Sequence, residues 1–183
     1  MPIVLNGSGT VTGISAGGLP DGIIQAADLA SGVGGKILQV VTASTTTQVS
    51  TSSSGFIDTN VAAIITRSSS SNKILVLIDA PFFVTRNPGT TNYFTIKVLR
   101  DSTEITDAIT NNGSHYSGLG SGYISSNSSV GIINKIILDS PSSTSSLTYK
   151  LQVGGAFTNN TVYFQDGSES HITLMEVGAW VGW

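Results

Sequence analysis

The chain has no cysteine, few charges and no long apolar run, and each absence removes a class of protein. Without cysteine, neither a disulfide framework nor a thiolate metal site can form. Charged residues make up 10% of the 183 residues, against about 25% in an average globular domain. The eight Lys and Arg are scattered singly and the net charge is -3, so nucleic acid is not expected as a partner.

No segment has the composition of a membrane span or a secretion signal. The longest apolar stretch, "ILVLIDAPFFV", is interrupted by Asp79 and Pro81 and is shorter than the roughly 20 residues that cross a bilayer. The opening "MPIVLNGSG" lacks both the basic region and the apolar run of a signal peptide. We therefore expect that the protein is made in the cytoplasm and does not insert into a membrane. A protein of this kind that works outside the cell must be carried there by something else.

The composition changes near residue 36, which predicts two parts, an N-terminal segment (1–35) and a head (36–183). Nine of the 21 glycines precede Lys36, whereas the first aromatic residue is Phe56. The segment has few aliphatic side chains to offset about 1 to 2 kcal/mol of backbone entropy per residue, and the loss is larger at glycine. It cannot fold alone. It is either a flexible linker or leader, or else an anchor or a thin shaft that is shared between chains.

Two short pieces of the N-terminal segment have the spacing of structured elements. "GSGTVTGIS" reads as a short strand containing Val11 and Ile14. Asp21 can cap a short helix over "GIIQAADLA", on which Ile23 and Ala27 belong to one small-residue stripe. A helix of this length is marginal in water unless that stripe meets a partner.

From residue 36 onward the pattern predicts an all-β sandwich or barrel. Segments rich in β-branched residues are separated by clusters of Ser, Asn, Gly and Pro. The predicted strands cover 36–43, 61–67, 73–84, 93–100, 103–108, 130–139, 147–154, 161–164 and 171–179. The two-residue "DS" turn in "YFTIKVLRDSTEIT" predicts a β-hairpin.

Several of these strands are apolar on both faces. "KILVLI" and "GIINKIIL" are nearly continuous in apolar residues, whereas a strand with one face in water should alternate. The outer face of one sheet then has to be buried by another subunit, which predicts a homo-oligomer. The alternative is that these residues are solitary exposed aliphatics, which are common on protein surfaces.

The sequence offers little support for catalysis, so we predict that the protein is not an enzyme and uses no cofactor or metal. His115 and His171 lie far apart and neither has metal-ligand spacing. The acidic residues are mostly single and placed at turns. "GLGSGY" lacks the Lys-Ser/Thr of a phosphate-binding loop and no helical pattern follows it.

The long segment "NNGSHYSGLGSGYISSNSS" (111–129) is the candidate receptor-binding loop. Loops beyond about 12 to 15 residues are uncommon in compact domains and tend to be functional or disordered. Aromatic rings among small polar residues resemble adaptable binding loops and suit a sugar or a protein. The candidate contacts are Asn111, Asn112, His115, Tyr116 and Tyr123. The alternative is a solvent loop with incidental tyrosines.

The C-terminal "HITLMEVGAWVGW" places two tryptophans within four residues of the end. Trp180 and Trp183 are costly to expose, so we expect them to pack against a neighbouring subunit or another component of an assembly. A platform for stacking a ligand is the alternative.

These two ends of the chain carry a resemblance. "GSGTVTGISAGGLPDGIIQAADLASGV" resembles the opening of many short bacteriophage virion proteins, described as tail-fibre or structural proteins, particularly those of marine and cyanobacterial phages. "SHITLMEV" is similar to the final strand of the jelly-roll heads of such fibres, which are akin to trimeric tumour-necrosis-factor and C1q-like heads. The likeness covers about residues 5–33 and 170–177.

The resemblance implies a homotrimer at the virion surface, with an N-terminal part that engages other virion proteins (tail, portal or capsid) and an outward jelly-roll head. Three N-terminal segments could then share a small core built from Val11, Ile14, Leu19 and Ile23, or each could add a strand to a virion protein. The head would attach to a glycan or protein on the host cell surface. The alternatives are a capsid decoration protein that binds no receptor and a free carbohydrate-binding β-domain.

Overall fold

A computed structural model describes residues 36–52, 55–85, 93–105, 128–156, 161–165 and 167–179. All regular structure in these ranges is β-strand. The strands are β1 (Ile37–Thr45), β2 (Val49–Thr51), β3 (Ile57–Thr66), β4 (Lys73–Thr85), β5 (Tyr93–Arg100), β6 (Thr103–Glu104), β7 (Ser128–Asp139), β8 (Ser146–Ala156), β9 (Thr161–Phe164) and β10 (Ser170–Val177). The predicted short strand and helix of residues 1–35 lie outside the described residues.

The strands form two antiparallel sheets, as an all-β sandwich requires. In the six-stranded sheet, β7 pairs with one edge of β4 along its whole length. The other edge of β4 pairs first with β10 and then with β9. β1 lies outside β10, and β2 lies outside β9. Because β9 and β10 share one edge of β4, the sheet has four columns, namely β7, β4, β9 with β10, and β1 with β2.

The four-stranded sheet has the order β3, β8, β5, β6. The predicted hairpin is confirmed: Arg100 pairs with Thr103, and Asp101 and Ser102 make the turn. Asp101 adopts a left-handed φ of 54°, and its carboxylate accepts a hydrogen bond of 2.9 Å from the Thr148 backbone N–H. This bond ties the turn to the neighbouring strand β8.

The core lies between the two sheets and is built from β-branched and aromatic side chains on alternate positions of the strands. In β4 the inward residues Ile74, Val76 and Ile78 are almost completely buried. Across from them, β8 contributes Tyr149, Leu151 and Val153. The alternation fixes the register, since a slip of one residue would turn these side chains toward the outside.

A polar network pins the two sheets together near one end of the sandwich. The Arg100 guanidinium donates hydrogen bonds of 2.8 and 2.7 Å to the two carboxylate oxygens of Asp139, and the Tyr149 hydroxyl donates to Asp139 Oδ2 at 2.7 Å. β5 and β8 belong to one sheet and β7 to the other. The network therefore links the two sheets through hydrogen bonds and an ion pair.

The described residues enter and leave the sandwich at that same end. Lys36 precedes β1, Gly178 follows β10, and the Gly178 N–H donates to the Lys36 carbonyl at 2.7 Å. At the opposite end, Thr85 of β4 pairs with Ser128 of β7, and the last two residues of the predicted receptor-binding segment (111–129) are the first two of this strand. The two ends of the head along its strand axis therefore differ: residue 35 joins the head at one end, and β7 begins at the other.

Candidate subunit interface

The outer face of the six-stranded sheet carries the largest set of exposed apolar side chains among the described residues. On β7, Val130 is 77% exposed, Ile132 60%, Ile136 68% and Leu138 55%. These residues alternate with the inward-facing Ile133, which is 2% exposed. The near-continuous apolar run of β7 therefore divides into a core row and an outward row.

Cross-strand register joins the outward row of β7 to the rest of the sheet. Leu138 pairs with Leu75 of β4, Leu75 with Met175 of β10, and Met175 with Val40 of β1. One step further along, Ile136 pairs with Leu77. We name the apolar face as the outward residues Val40, Leu75, Leu77, Pro81, Phe83, Val130, Ile132, Ile136, Leu138, Tyr163 and Met175.

The far end of the apolar face is aromatic. The rings of Phe83 and Tyr163 lie with centroids 5.9 Å apart on neighbouring strands. Beside them, Pro81, Ile132 and Val130 help to line an open groove of about 420 Å³. Gly131 is required in this groove, because a Cβ there would lie 2.5 Å from the Cζ atom of the Phe82 ring.

The outer face of the six-stranded sheet has the size of a subunit interface. Four columns about 4.8 Å apart, and a central strand of 13 residues that rises about 3.3 Å per residue, give the whole face, polar residues included, a projected area of about 19 by 43 Å, or about 800 Å². A standard protein–protein interface buries about 800 Å² on each partner. Monomeric soluble proteins rarely expose contiguous apolar patches of more than a few hundred Å².

The outer face of the four-stranded sheet is polar and internally paired. We name the polar face as the outward residues Asp58, Lys97, Glu104, Lys150 and Gln152. Asp58 accepts from Lys150 at 2.9 Å and from Gln152 at 2.7 Å, and Lys97 pairs with Glu104 at 2.8 Å. Although partial burial opposes it, hydrogen bonding to Gln152 and Lys150 holds the pKa of Asp58 below its ordinary value. Such a surface is suited to water.

Other charged groups of the sandwich are held in hydrogen-bonded networks within the chain. Burial, and then the hydrogen bond to the Asp139 carboxylate, raise the pKa of Tyr149 far above its ordinary value. Burial alone would lower the pKa of Arg100, but the contact with Asp139 raises it. Both shifts reflect the hydrogen-bonded contacts with Asp139. In the described ranges, no three His, Asp or Glu side chains come together as a metal site.

A second buried network closes the end at which the chain enters the head. Glu176 is 2% exposed, and its Oε1 accepts hydrogen bonds from the Ser68 N–H at 2.7 Å, the Ser68 hydroxyl at 2.8 Å and Asn72 Nδ2 at 2.7 Å. Burial by itself raises the pKa of Glu176, but these bonds outweigh it and the pKa is lowered. Asn72 Oδ1 in turn accepts from the Ala179 N–H at 3.1 Å, so the network fixes the path of the chain after β10.

The candidate site residues predicted from the sequence lie outside the apolar face. The candidate receptor contacts Asn111, Asn112, His115, Tyr116 and Tyr123 lie outside the described residues, as do the candidate anchor and oligomer contacts Val11, Ile14, Leu19, Ile23, Ala27, Trp180 and Trp183. Sequence reasoning had found the strands with two apolar faces but not the individual interface residues. The sequence feature that could have indicated these outward residues is the unbroken apolar run in each of β4 and β7.

Within the described ranges there is no helix long and apolar enough to span a membrane. No family model matches the chain, and no curated protein matches it in sequence.

Proposed function

We propose that the chain is a non-enzymatic virion structural protein: a short homotrimeric fibre, fixed to the particle by residues 1–35, whose C-terminal head faces the host surface. The observation that carries the proposal is the apolar face. An area of about 800 Å² on a single chain needs a protein partner, and the commonest partner in soluble assemblies is another copy.

The energetics favour association. Burying the exposed part of one Val, Leu or Ile side chain is worth roughly 1 to 2 kcal/mol at about 25 cal/mol per Å². The four exposed aliphatic residues of β7, with Val40 of β1, therefore contribute on the order of 5 to 10 kcal/mol. Association costs at least about 4 kcal/mol in lost translational and rotational freedom, and the half-buried residues of the face add to the gain.

The strand order supports a jelly-roll head. If β1 with β2, and β9 with β10, are each counted as one interrupted strand, the sandwich has eight strands. One sheet then has the order first, eighth, third, sixth, and the other second, seventh, fourth, fifth. This order supports the proposed jelly roll, an architecture found in viral capsid and lectin domains.

The difference between the two ends of the head supports a fibre. Residues 1–35 join it at the end where Lys36 and Gly178 meet, and the predicted receptor-binding segment runs into the start of β7 at the opposite end. An anchor on one side and a contact surface on the other is the arrangement that a short appendage needs.

Two measurements test the proposal. Light scattering on the full chain at micromolar concentration should give a mass three times 18.9 kDa. A stable monomer would overturn it. Immunolabelling of particles from infected cells should place the protein on a projecting appendage. Labelling spread evenly over the capsid shell would instead identify a decoration protein, and absence from particles would leave a free β-domain.

A further inference from the structure

One row of polar side chains crosses the apolar face from edge to edge. Ser44 of β1 pairs with His171 of β10, His171 with Asp79 of β4, and Asp79 with Asn134 of β7. We name these four residues the polar row. All four are exposed in the single chain. Apolar residues lie on both sides of the row: Leu77 and Ile136 toward the chain entry, and Pro81 and Ile132 toward the other end.

The polar row makes few contacts within the chain. Among the described residues, the side chains of Ser44, Asp79 and Asn134 form no hydrogen bond with one another, and no ion pair joins His171 to Asp79. His171 Nε2 lies 3.7 Å from Glu169 Oε2, at the margin of the face. Asp79, Asn134 and His171 line an open depression of about 230 Å³, which Lys135 also lines. Their polar atoms therefore point into space that a partner can fill.

Covering the apolar face would bury this row, and a buried polar group without a partner costs about 1 to 3 kcal/mol, more if it is charged. The cost disappears only if the covering surface supplies the missing donors and acceptors. The row itself has both kinds: the Asp79 carboxylate only accepts, the His171 imidazole donates, and the Asn134 amide does both.

We propose that the polar row sets the register of the subunits, through a contact between Asp79 of one copy and His171 of the next. The proposal deepens the proposed homotrimer and rests on it. In a cyclic trimer the interface is head-to-tail, so we take different halves of the same face to meet. The half made by β4 and β7 carries Asp79 and Asn134, and the half made by β10 and β1 carries His171 and Ser44. Asp79, which only accepts, and the His171 imidazole, which can donate to it, therefore lie in different halves.

The same division works against wrong registers. The side chains on one face of a strand repeat every second residue, so a slip of two residues would set Asp79 against Thr173, whose neutral hydroxyl already bonds Thr42 at 3.5 Å, instead of against the His171 imidazole. The aliphatic residues alone would tolerate such a slip, because they lie on both sides of the polar row. A single polar group in an apolar seam is a known way to specify register at some cost in stability.

Exchanging the two residues tests the proposal in the full chain. The variants are Asp79→His, His171→Asp and the double variant that carries both, measured by sedimentation over a range of concentrations at pH 7. Each single variant sets two like groups against each other, so we expect association at least about tenfold weaker than in the original chain. The double variant restores one acceptor and one donor and should recover association to within about threefold. Asp58→Asn, on the outer face of the other sheet, is the control and should leave association unchanged.

The outcomes separate the inference from the proposed function. If the original chain is a monomer at every concentration, the homotrimer fails and the inference with it. If the chain is a trimer but the single variants associate as tightly as the original, or the double variant does not recover, only the polar row is overturned. Because Asp79 and His171 are also cross-strand neighbours within one chain, thermal unfolding of each dissociated variant is measured in parallel. If the double variant recovers thermal stability but not association, the contact between copies is contradicted.

Discussion

The two outer faces of the sandwich belong to the same molecule and differ in almost every physical property. The polar face pairs its charges within the chain, through Asp58 with Lys150 and Lys97 with Glu104. The apolar face exposes a row of aliphatic side chains on β7, and the one charge pair of its polar row in the described ranges is the 3.7 Å contact of His171 with Glu169. Both sheets cover the same core, so the difference is not required by folding. This difference is the reason for proposing that one face is adapted to water and the other to protein.

The contrast is visible strand by strand. β3 alternates between buried and exposed positions, and its outward residues Asp58, Asn60 and Ala62 are small or polar, with Ile64 as the exception. β7 also alternates, but its outward residues are aliphatic except for Asn134. A strand of the first kind is stable at a wet surface. One of the second kind is suited to a sheet that is covered on both faces.

The largest effect is expected from adding charge to the apolar face. The double change Ile132→Asp with Ile136→Asp should weaken association more than about a hundredfold, because two carboxylates would be buried against aliphatic groups. Analytical ultracentrifugation measures the change. The matched control is Ile64→Asp, since Ile64 is 58% exposed on the other sheet and Ile136 is 68% exposed. Equal loss of association in the control would remove the distinction between the faces.

The next effect concerns the core that both faces share. Asp139→Asn removes the charge that the Arg100 guanidinium contacts and weakens the bond from the Tyr149 hydroxyl. We expect the free energy of unfolding to fall by about 3 kcal/mol, as when one partner of a largely buried ion pair is removed. Tyr149→Phe should cost less, about 1 kcal/mol. Chemical denaturation measures both. A variant that loses association but keeps its stability would contradict the assignment of this network to folding.

A smaller, pH-dependent effect is expected at Glu176. Its pKa is lower in the folded chain than in the unfolded one, so the ionised carboxylate stabilises the fold above the ordinary value of about 4.3. This contribution is lost as the pH falls through the lower folded-state pKa. Glu176→Gln should therefore destabilise the chain by about 1 to 2 kcal/mol at pH 7, and the difference should shrink toward pH 3. Thermal unfolding across this range would show a constant difference if the charge were irrelevant.

Much of the fold could be predicted because strand formation is a local signal. The density of Val, Ile, Tyr and Phe placed β4, β5 and β9 within a residue or two of their observed bounds, and the "DS" turn gave the hairpin. β2 was missed because its three residues, Val49–Thr51, lie in a run of Ser and Thr without periodicity. β6 is shorter in the structure, Thr103–Glu104, than the predicted 103–108, whose remainder lies mainly outside the described residues.

The site could be predicted only in part, because its geometry depends on pairing between distant strands. Continuous apolar runs indicated that one sheet has an apolar outer face, but they do not say which strands are neighbours. The polar row brings together Ser44, Asp79, Asn134 and His171, which lie in four separate strands and far apart in the sequence. Glu176 is similar, since an acid in the strand "SHITLMEV" gives no sign that Ser68 and Asn72 will enclose it.

The smallest effect is expected on the polar face, and it sharpens the comparison because the same substitution can be made on both faces. Asp58→Asn removes a salt bridge to Lys150 on a side chain that is 51% exposed. Water and salt screen such a pair, so the free energy of unfolding should fall by about 0.5 kcal/mol or less, and by less still at high salt. Association should not change. Asp79→Asn, by contrast, should leave the stability of the dissociated chain almost unchanged and weaken association, because Asp79 lies where another copy is expected to bind. Sedimentation and denaturation of the two variants side by side measure both quantities. If Asp58→Asn weakens association and Asp79→Asn does not, the roles assigned to the two faces are reversed.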